Sequence, residues 1–381
     1  MTVFDYAALR AEVEAFARTN IAVRPDLNQR DDFPADLWAA MGQSGLMAIA
    51  IPQEYGGRGG DYRALALALE TLADVGGCQG VAISWMSHAL NARLHILGQG
   101  TAAQQARYLP GLALGQHTVC MAISEPGAGA HPKRLSTRAE FEGDEVILNG
   151  EKAYLTNGPL ADLFLVLAIT DEVDGRRAFT TFIVPRDSAG LQITPGVEVD
   201  FLHPSPHCGI ALDNCRVPAG NRLGPLGDAF NAISLPMRRV EDALAAAKTA
   251  GAMRHRLRLL CQAAARVGEA GAAGTELAAS LGRLAAMPDG LSAMAWRAAE
   301  LLDSGRDDIA ETLSSLAAAA RETSKVVERE VEAIINTWDI EVSTALSIAN
   351  RDLVKSLGIA ASARDLQARK RGQALLAASQ V

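Results

Sequence analysis

Apolar positions recur three and four residues apart over residues 4–18, where Leu9, Val13, Phe16 and Ala17 share one face, and this spacing predicts a helix. The same period predicts helices over 36–44, just after Pro34, and over 62–75 and 80–97. Residues 104–108 add a short helical turn that Pro110 should stop. Between these runs, residues 51–60 hold four glycines and a proline and read as a loop. Near Thr118 the pattern changes. Short β-rich runs follow at 119–124, 145–148, 163–169, 179–184 and 209–212, separated by Gly, Pro, Asn and Asp. After Gly227 helical spacing returns, over 228–257, 275–286, 291–302, 309–337 and 342–378, punctuated by Gly274, the stretch 288–290 and Gly305. The expected fold class is α+β and multi-domain: an N-terminal helical domain (1–117), a central β-barrel-like domain (118–223) and a C-terminal helical bundle (224–381).

Composition narrows the function classes. At 381 residues, 49% hydrophobic and 21% charged, the chain has ample apolar surface for two or three cores. A net charge of −8 argues against a nucleic-acid surface, so any phosphate-bearing ligand must be held by local amides and a few basic residues. The five cysteines are scattered without disulfide or metal spacing, which favours a reducing cytoplasm. His88, His117, His203 and His207 form no metal-spaced set, so no metal is expected. The strongest apolar run, 163–169, is a strand's length and no membrane span. The N-terminus lacks the basic-then-apolar layout of a secretory leader.

Two stretches carry candidate chemistry. Ser124-Glu-Pro-Gly-Ala-Gly-Ala130 should form a tight turn whose backbone N–H groups can face an anion or a flavin edge, although the same residues also suit a plain β-turn. It is not a G-x-G-x-x-G fingerprint, which disfavours a Rossmann site. Asn149-Gly-Glu-Lys-Ala-Tyr-Leu-Thr-Asn-Gly158 resembles a hairpin edge leading into a strand, with an aromatic face at Tyr154 and a hydroxyl at Thr156 that could stack on a planar ring and bond its rim.

In this order, with Ile51-Pro-x-x-Tyr-Gly-Gly-x-Gly59 before them and Asn214-Cys-Arg-Val-Pro-Ala-Gly-Asn-Arg-Leu-Gly224 after, the motifs resemble the acyl-CoA dehydrogenase family over roughly residues 30 to 240. The resemblance implies FAD bound against the β-domain. Met121, Ile123, Ser124, Gly129 and Ala130 would line the pyrimidine side and pyrophosphate path, with Tyr154 at the ring-stacking position and Thr156 near flavin N5. It implies an acyl thioester of CoA or of an acyl carrier protein as substrate, with Arg238 and Arg239 on the substrate side, and a homodimer or homotetramer. Two of these assignments have bland counterparts. Tyr154 also suits a packed strand aromatic, and Arg239 a solvated helix arginine.

The carboxy-terminal third departs from the family pattern. The usual catalytic glutamate follows an Arg-Asp pair; counting from Arg351-Asp352 puts Ala360 at its position. The family's alternative base site, just before the arginine matched by Arg239, holds Arg238. The Arg-x-x-Phe-Gly segment that grips a neighbouring subunit's FAD has no counterpart in 245–285, and Trp338 to Thr344 replaces a glycine-rich stretch. A positioned base is worth about 10² to 10⁴ in rate, or roughly 3 to 5 kcal/mol of barrier. Glu241, about one turn beyond Arg238, is the nearest substitute, although a surface or salt-bridged glutamate reads the same way. The sequence therefore supports an FAD-dependent acyl-CoA dehydrogenase-type enzyme with a non-standard or missing base. The alternative is a catalytically degenerate subunit that pairs with an active paralogue.

Overall fold

The computed structural model describes residues 4–266, 272–359 and 361–378. Five helices come first: α1 (Tyr6–Asn20), α2 (Ala35–Gln43), α3 (Tyr62–Gly76), α4 (Gln79–Leu90) and α5 (Ala102–Ala113). The side chain of Asp5 accepts from Ala8 N at the start of α1, and Asp61 from Ala64 N at the start of α3. Leu9, Val13, Phe16 and Ala17 are the buried face of α1, as their spacing requires. Every residue of α3 from Ala64 to Ala73 is buried, so this helix lies inside the molecule rather than on it.

α5 is longer than its sequence pattern suggests. It starts at a reciprocal cap in which Thr101 bonds the Gln104 amide and Gln104 bonds back to Thr101, and it continues through Pro110 to Ala113. Burial of Tyr108, Leu109 and Leu112 holds the turn that proline alone would end.

Eight strands follow. They are β1 (Val119–Ala122), β2 (Arg138–Glu142), β3 (Glu145–Thr156), β4 (Leu163–Val173), β5 (Arg176–Pro185), β6 (Leu191–Thr194), β7 (His207–Pro218) and β8 (Arg222–Leu223). They form one sheet in the order β6-β7-β3-β2-β4-β5-β8, with β1 paired in parallel to β4. Three of them, β2, β6 and β8, fall outside the expected runs: β2 and β6 do alternate apolar and polar residues, but over only 5 and 4 positions, and β8 has 2 residues. β4 is buried from Leu163 to Ile169 because it has apolar clusters on both faces.

The last helices are α6 (Leu235–Ala264), α7 (Ala272–Asp303), α8 (Ala310–Thr337), α9 (Thr344–Gly358) and α10 (Ala361–Ala378). Two expectations change here. The helices expected at 275–286 and 291–302 are one continuous α7 with Pro288 inside it. Proline costs about 3 kcal/mol in a helix interior, but Leu277, Leu284, Leu291, Ala295 and Ala299 all sink into the main core, at roughly 1.5–3 kcal/mol for each large side chain. The single helix expected over 342–378 is instead broken, because α9 ends at Gly358 and Ile359 turns extended. A π-helical turn, Phe230–Ser234, leads into α6 and seats Ile233 against Ile123, Leu167 and Phe179 of the sheet.

Candidate functional site

The site begins where β1 leaves the sheet. Glu125 and Gly129 bridge each other, and the N–H groups of Ala128 and Gly129 turn inward to the Glu125 carbonyl at 3.2 and 3.0 Å. The free-amide expectation is therefore met in part: the N–H groups of Gly127 and Ala130 remain without a protein partner among the described residues. Gly127 (φ 67°) and Gly129 (φ 58°) adopt the left-handed conformation, and no atom lies within 4 Å of where a Cβ would sit, so the outer side of the turn is open.

The loop is held from below by a carboxylate that the sequence reading passed over. Glu125 accepts from Ser136 N and Oγ (both 2.7 Å), Thr137 N (2.9 Å), Thr137 Oγ1 (2.6 Å) and Lys152 Nζ (2.9 Å). Lys152, almost wholly buried, also donates to the Ile123 carbonyl at 3.1 Å. Burial alone would raise the Glu125 pKa, but Lys152 and the Thr137 bonds hold it down at about 2. Burial pushes the Lys152 ammonium down to about 8 against the pull of Glu125. The hydrogen bonds from Ser136, Thr137 and Lys152 keep Glu125 ionised.

This latch brings β3 to the loop. Ala153 N donates to the Ser124 carbonyl at 2.9 Å, and the β3–β7 register shifts between Lys152 and Leu155. At that bulge Tyr154 takes φ 61°, uncommon for a non-glycine residue, and its side chain is 47% exposed. Tyr154 is therefore not a packed strand aromatic. Thr156 Oγ1 lies 3.1 Å from His207 Nε2, while His207 Nδ1 lies 3.0 Å from the Ser205 carbonyl. A carbonyl only accepts, so Nδ1 carries the proton and Nε2 accepts from Thr156. Burial pushes the His207 pKa down, which keeps that arrangement neutral. Thr156 thus presents oxygen lone pairs outward rather than a proton.

Among the other expected residues, Met121 is half-buried between two apolar clusters and Ile123 is buried in one of them. Ser124 is half-buried and Ala130 exposed. Met237, on the first turn of α6, packs on the cluster of Ile123, which sets the following Arg238 (half-buried) and Arg239 (exposed) beside the β-domain. Glu241 is half-buried and has no hydrogen-bond or ion-pair partner among the described residues. Burial pushes its pKa up to about 7, with Arg238 pulling it down and Asp242 pushing it up. Ala360 lies outside the described residues.

Beyond the loop, a groove of about 470 Å³ runs between the β4–β5 hairpin and the π-helical turn. It is lined by Lys133, Arg176 and Arg177, by the carboxylates Glu172 and Asp228, and by Phe179 and Phe230, whose rings are 5.9 Å apart; Glu172 lies 3.5 Å from Arg177. Arg177 donates to the carbonyls of Lys133 (3.0 Å) and Leu135 (2.7 Å), and Arg134 bonds the Gly127 carbonyl. No described helix is long and apolar enough to cross a membrane, and no described group of side chains could hold a metal ion.

Together these parts offer an open aromatic face, a hydroxyl acceptor, two amide donors without a partner among the described residues and a groove of mixed charge, a set that suits a planar, phosphate-bearing cofactor. Comparison with known proteins points the same way. The acyl-CoA dehydrogenase N-terminal domain family matches residues 5–116, and the acyl-CoA dehydrogenase middle domain family matches residues 120–215. An acyl-CoA dehydrogenase of Bacillus subtilis is 33% identical over 228 residues, 60% of each chain. Over the first curated relatives it matches, the chain spans between 53% and 60% of their length. The prolyl acyl carrier protein oxidase AnaB superposes with a TM-score of 0.81 at 26% identity, covering 93% of this chain and 95% of that one. Butyryl-CoA dehydrogenase from Megasphaera elsdenii superposes with a TM-score of 0.84 over 99% of both chains at 22% identity, a likeness of fold.

Proposed function

Because this chain belongs to the acyl-CoA dehydrogenase family, we propose that it is an FAD-dependent oxidoreductase acting on an acyl thioester of coenzyme A or of an acyl carrier protein. The observation that carries this reading is the pinned loop 124–130 set against an exposed Tyr154 and an outward Thr156 oxygen. FAD bound there supplies a two-electron acceptor. Tyr154 would stack on its ring, the Thr156 oxygen would accept from a ring N–H at its rim, and the Gly127 and Ala130 N–H groups would donate to its polar atoms. In the groove beside Phe179 and Phe230, Lys133 and Arg176 would meet the phosphate-bearing arm of the carrier.

Glu241 is the proposed base. With a pKa of about 7 and no hydrogen-bond or ion-pair partner among the described residues, its carboxylate is available to take the acyl α-proton near neutral pH. Arg238, one turn before it on the same side of α6, is the basic residue nearest to it, whereas Arg239 points to the opposite side of the helix.

Purified protein tests the reading directly. It should be yellow, with flavin absorption that bleaches anaerobically on addition of an acyl-CoA or an acyl carrier protein thioester. Colourless protein that gains flavin only when a second chain is co-expressed would favour the paired-subunit alternative instead. The C-terminal helices supply the surfaces for a homodimer, homotetramer or such a mixed assembly.

A further inference from the structure

Between α6, α8, α9 and α10 lies a small interior cavity of about 60 Å³ that the flavin reading does not use. Its walls are largely alanine (Ala245, Ala246, Ala317, Ala320), yet its polar lining is strongly cationic. Lys248, Arg321 and Arg364 face a single carboxylate, Asp242. The guanidinium nitrogens of Arg321 and Arg364 stand 3.8 and 3.6 Å from that carboxylate, long for hydrogen bonds.

Among the other nearby charges, Glu322 is paired with Lys325 at 2.8 Å and Asp365 is exposed to solvent, so the cavity lining keeps its positive excess. Asp352, which lies near Lys248, is held by Arg351 at 2.8 Å. Arg238 adds a further positive charge toward Arg364, opposite the partly ionised Glu241. Lys248 Nζ donates to Gln79 at 3.1 Å, a neutral partner. Two buried polar atoms at the cavity, Ser356 Oγ and Arg364 Nε, have no hydrogen-bond partner among the described residues. Arg321, Leu357 and Arg364 also line an outer cleft of about 110 Å³, so the chamber has a neighbouring way in.

Uncompensated buried charge is costly, and an unpaired buried donor adds to that cost. An oxyanion satisfies both: it balances the excess cations and accepts from Arg321, from Nε of Arg364, whose Nη1 is held by the Leu357 carbonyl at 3.2 Å, and from a hydroxyl. We propose that this cavity is a binding site for one small oxyanion, held by Arg321, Arg364 and Ser356 with Lys248 behind them. Asp242 works against it, since its carboxylate shares the same cations. The site stands apart from the flavin reading and does not depend on it.

The purified full-length chain, as it exists, tests the site by thermal unfolding at matched ionic strength. Inorganic phosphate in place of chloride should raise the melting temperature saturably; acetate in a parallel arm distinguishes a carboxylate from a phosphate source. A rise with either anion that is lost in Arg321→Ala, and whose midpoint moves about tenfold or more in Ser356→Ala, supports the site and names its class. Arg364→Lys, which keeps charge but loses the fork, should weaken binding similarly. Asp242→Asn should tighten it. No rise with either anion, or a rise that survives unchanged in Ser356→Ala, overturns the proposal; Ser356→Ala removes one atom and keeps the test valid if an arginine variant fails to fold.

Discussion

Glu241 has no hydrogen-bond or ion-pair partner among the described residues and is half-buried on the first turns of α6. Its pKa of about 7 lies above the ordinary 4.5, so between those values the folded protein holds a proton that the unfolded chain releases. Stability should therefore fall as pH rises through that window, by on the order of 1–2 kcal/mol after allowing for partial exposure. Glu241→Gln should flatten the fall in urea denaturation at pH 5 and pH 8. If Glu241 is the base, the same variant should abolish flavin reduction by an acyl thioester while flavin content stays unchanged; undiminished reduction would remove it from that role.

Glu125 gives the opposite sign. Held at about 2, its charge contributes stability above pH 4.5 that is lost as pH falls toward 2. Glu125→Gln leaves Lys152 buried without its counter-charge and should cost about 3–5 kcal/mol, measured by denaturation at pH 7. The loop should loosen with it, seen as a lower flavin-to-protein absorbance ratio.

At the scale of elements, local signals were legible and distant ones were not. The loop 124–130 announced itself through adjacent Pro126, Gly127 and Gly129, whose backbone preferences act within the segment. Its anchor did not, because Lys152 on β3 meets Glu125 only in the folded molecule, across 27 residues of chain. His207 likewise reaches Thr156 through the β3–β7 register. Pro110 and Pro288 misled because proline's local penalty was outweighed by burial on either side.

The Thr101–Gln104 cap was readable as T-x-x-Q and would have moved the start of α5 back. That cap also yields a prediction. Gln104 Nε2 donates to the carbonyls of Gly220 (3.1 Å) and Arg222 (2.9 Å), so one side chain both starts α5 and ties it to β8. Thr101→Ala should cost about 1 kcal/mol; Gln104→Ala, which also orphans those two carbonyls, should cost distinctly more. Urea unfolding of both variants under one buffer checks the ranking.

Across the whole molecule, one core joins residues far apart in the chain. Leu9, Leu37, Leu69 and Trp85 share an apolar cluster with Leu244, Met253, Leu291 and Leu346. α3 runs through its middle, packed on α1, α6 and α7. The crossing of α3 and α6 depends on Gly251, where a Cβ would fall 2.1 Å from the Glu70 carbonyl oxygen. Gly251→Ala should force the helices apart and cost about 1–3 kcal/mol, read as a lowered urea midpoint at constant slope. At the rim, Asp303 at the end of α7 accepts from Tyr62 N (2.8 Å) and Arg63 N (3.2 Å), clasping the start of α3.

Because α3 is enclosed by chain from both ends, neither end holds a separable module. A polypeptide stopped after Leu223 would expose the α3 flank that α6 and α7 cover, a long apolar stripe with no substitute in the sheet. Such a fragment should come out of cells in aggregates, whereas the intact chain should give the two terminal thirds a common endotherm in calorimetry.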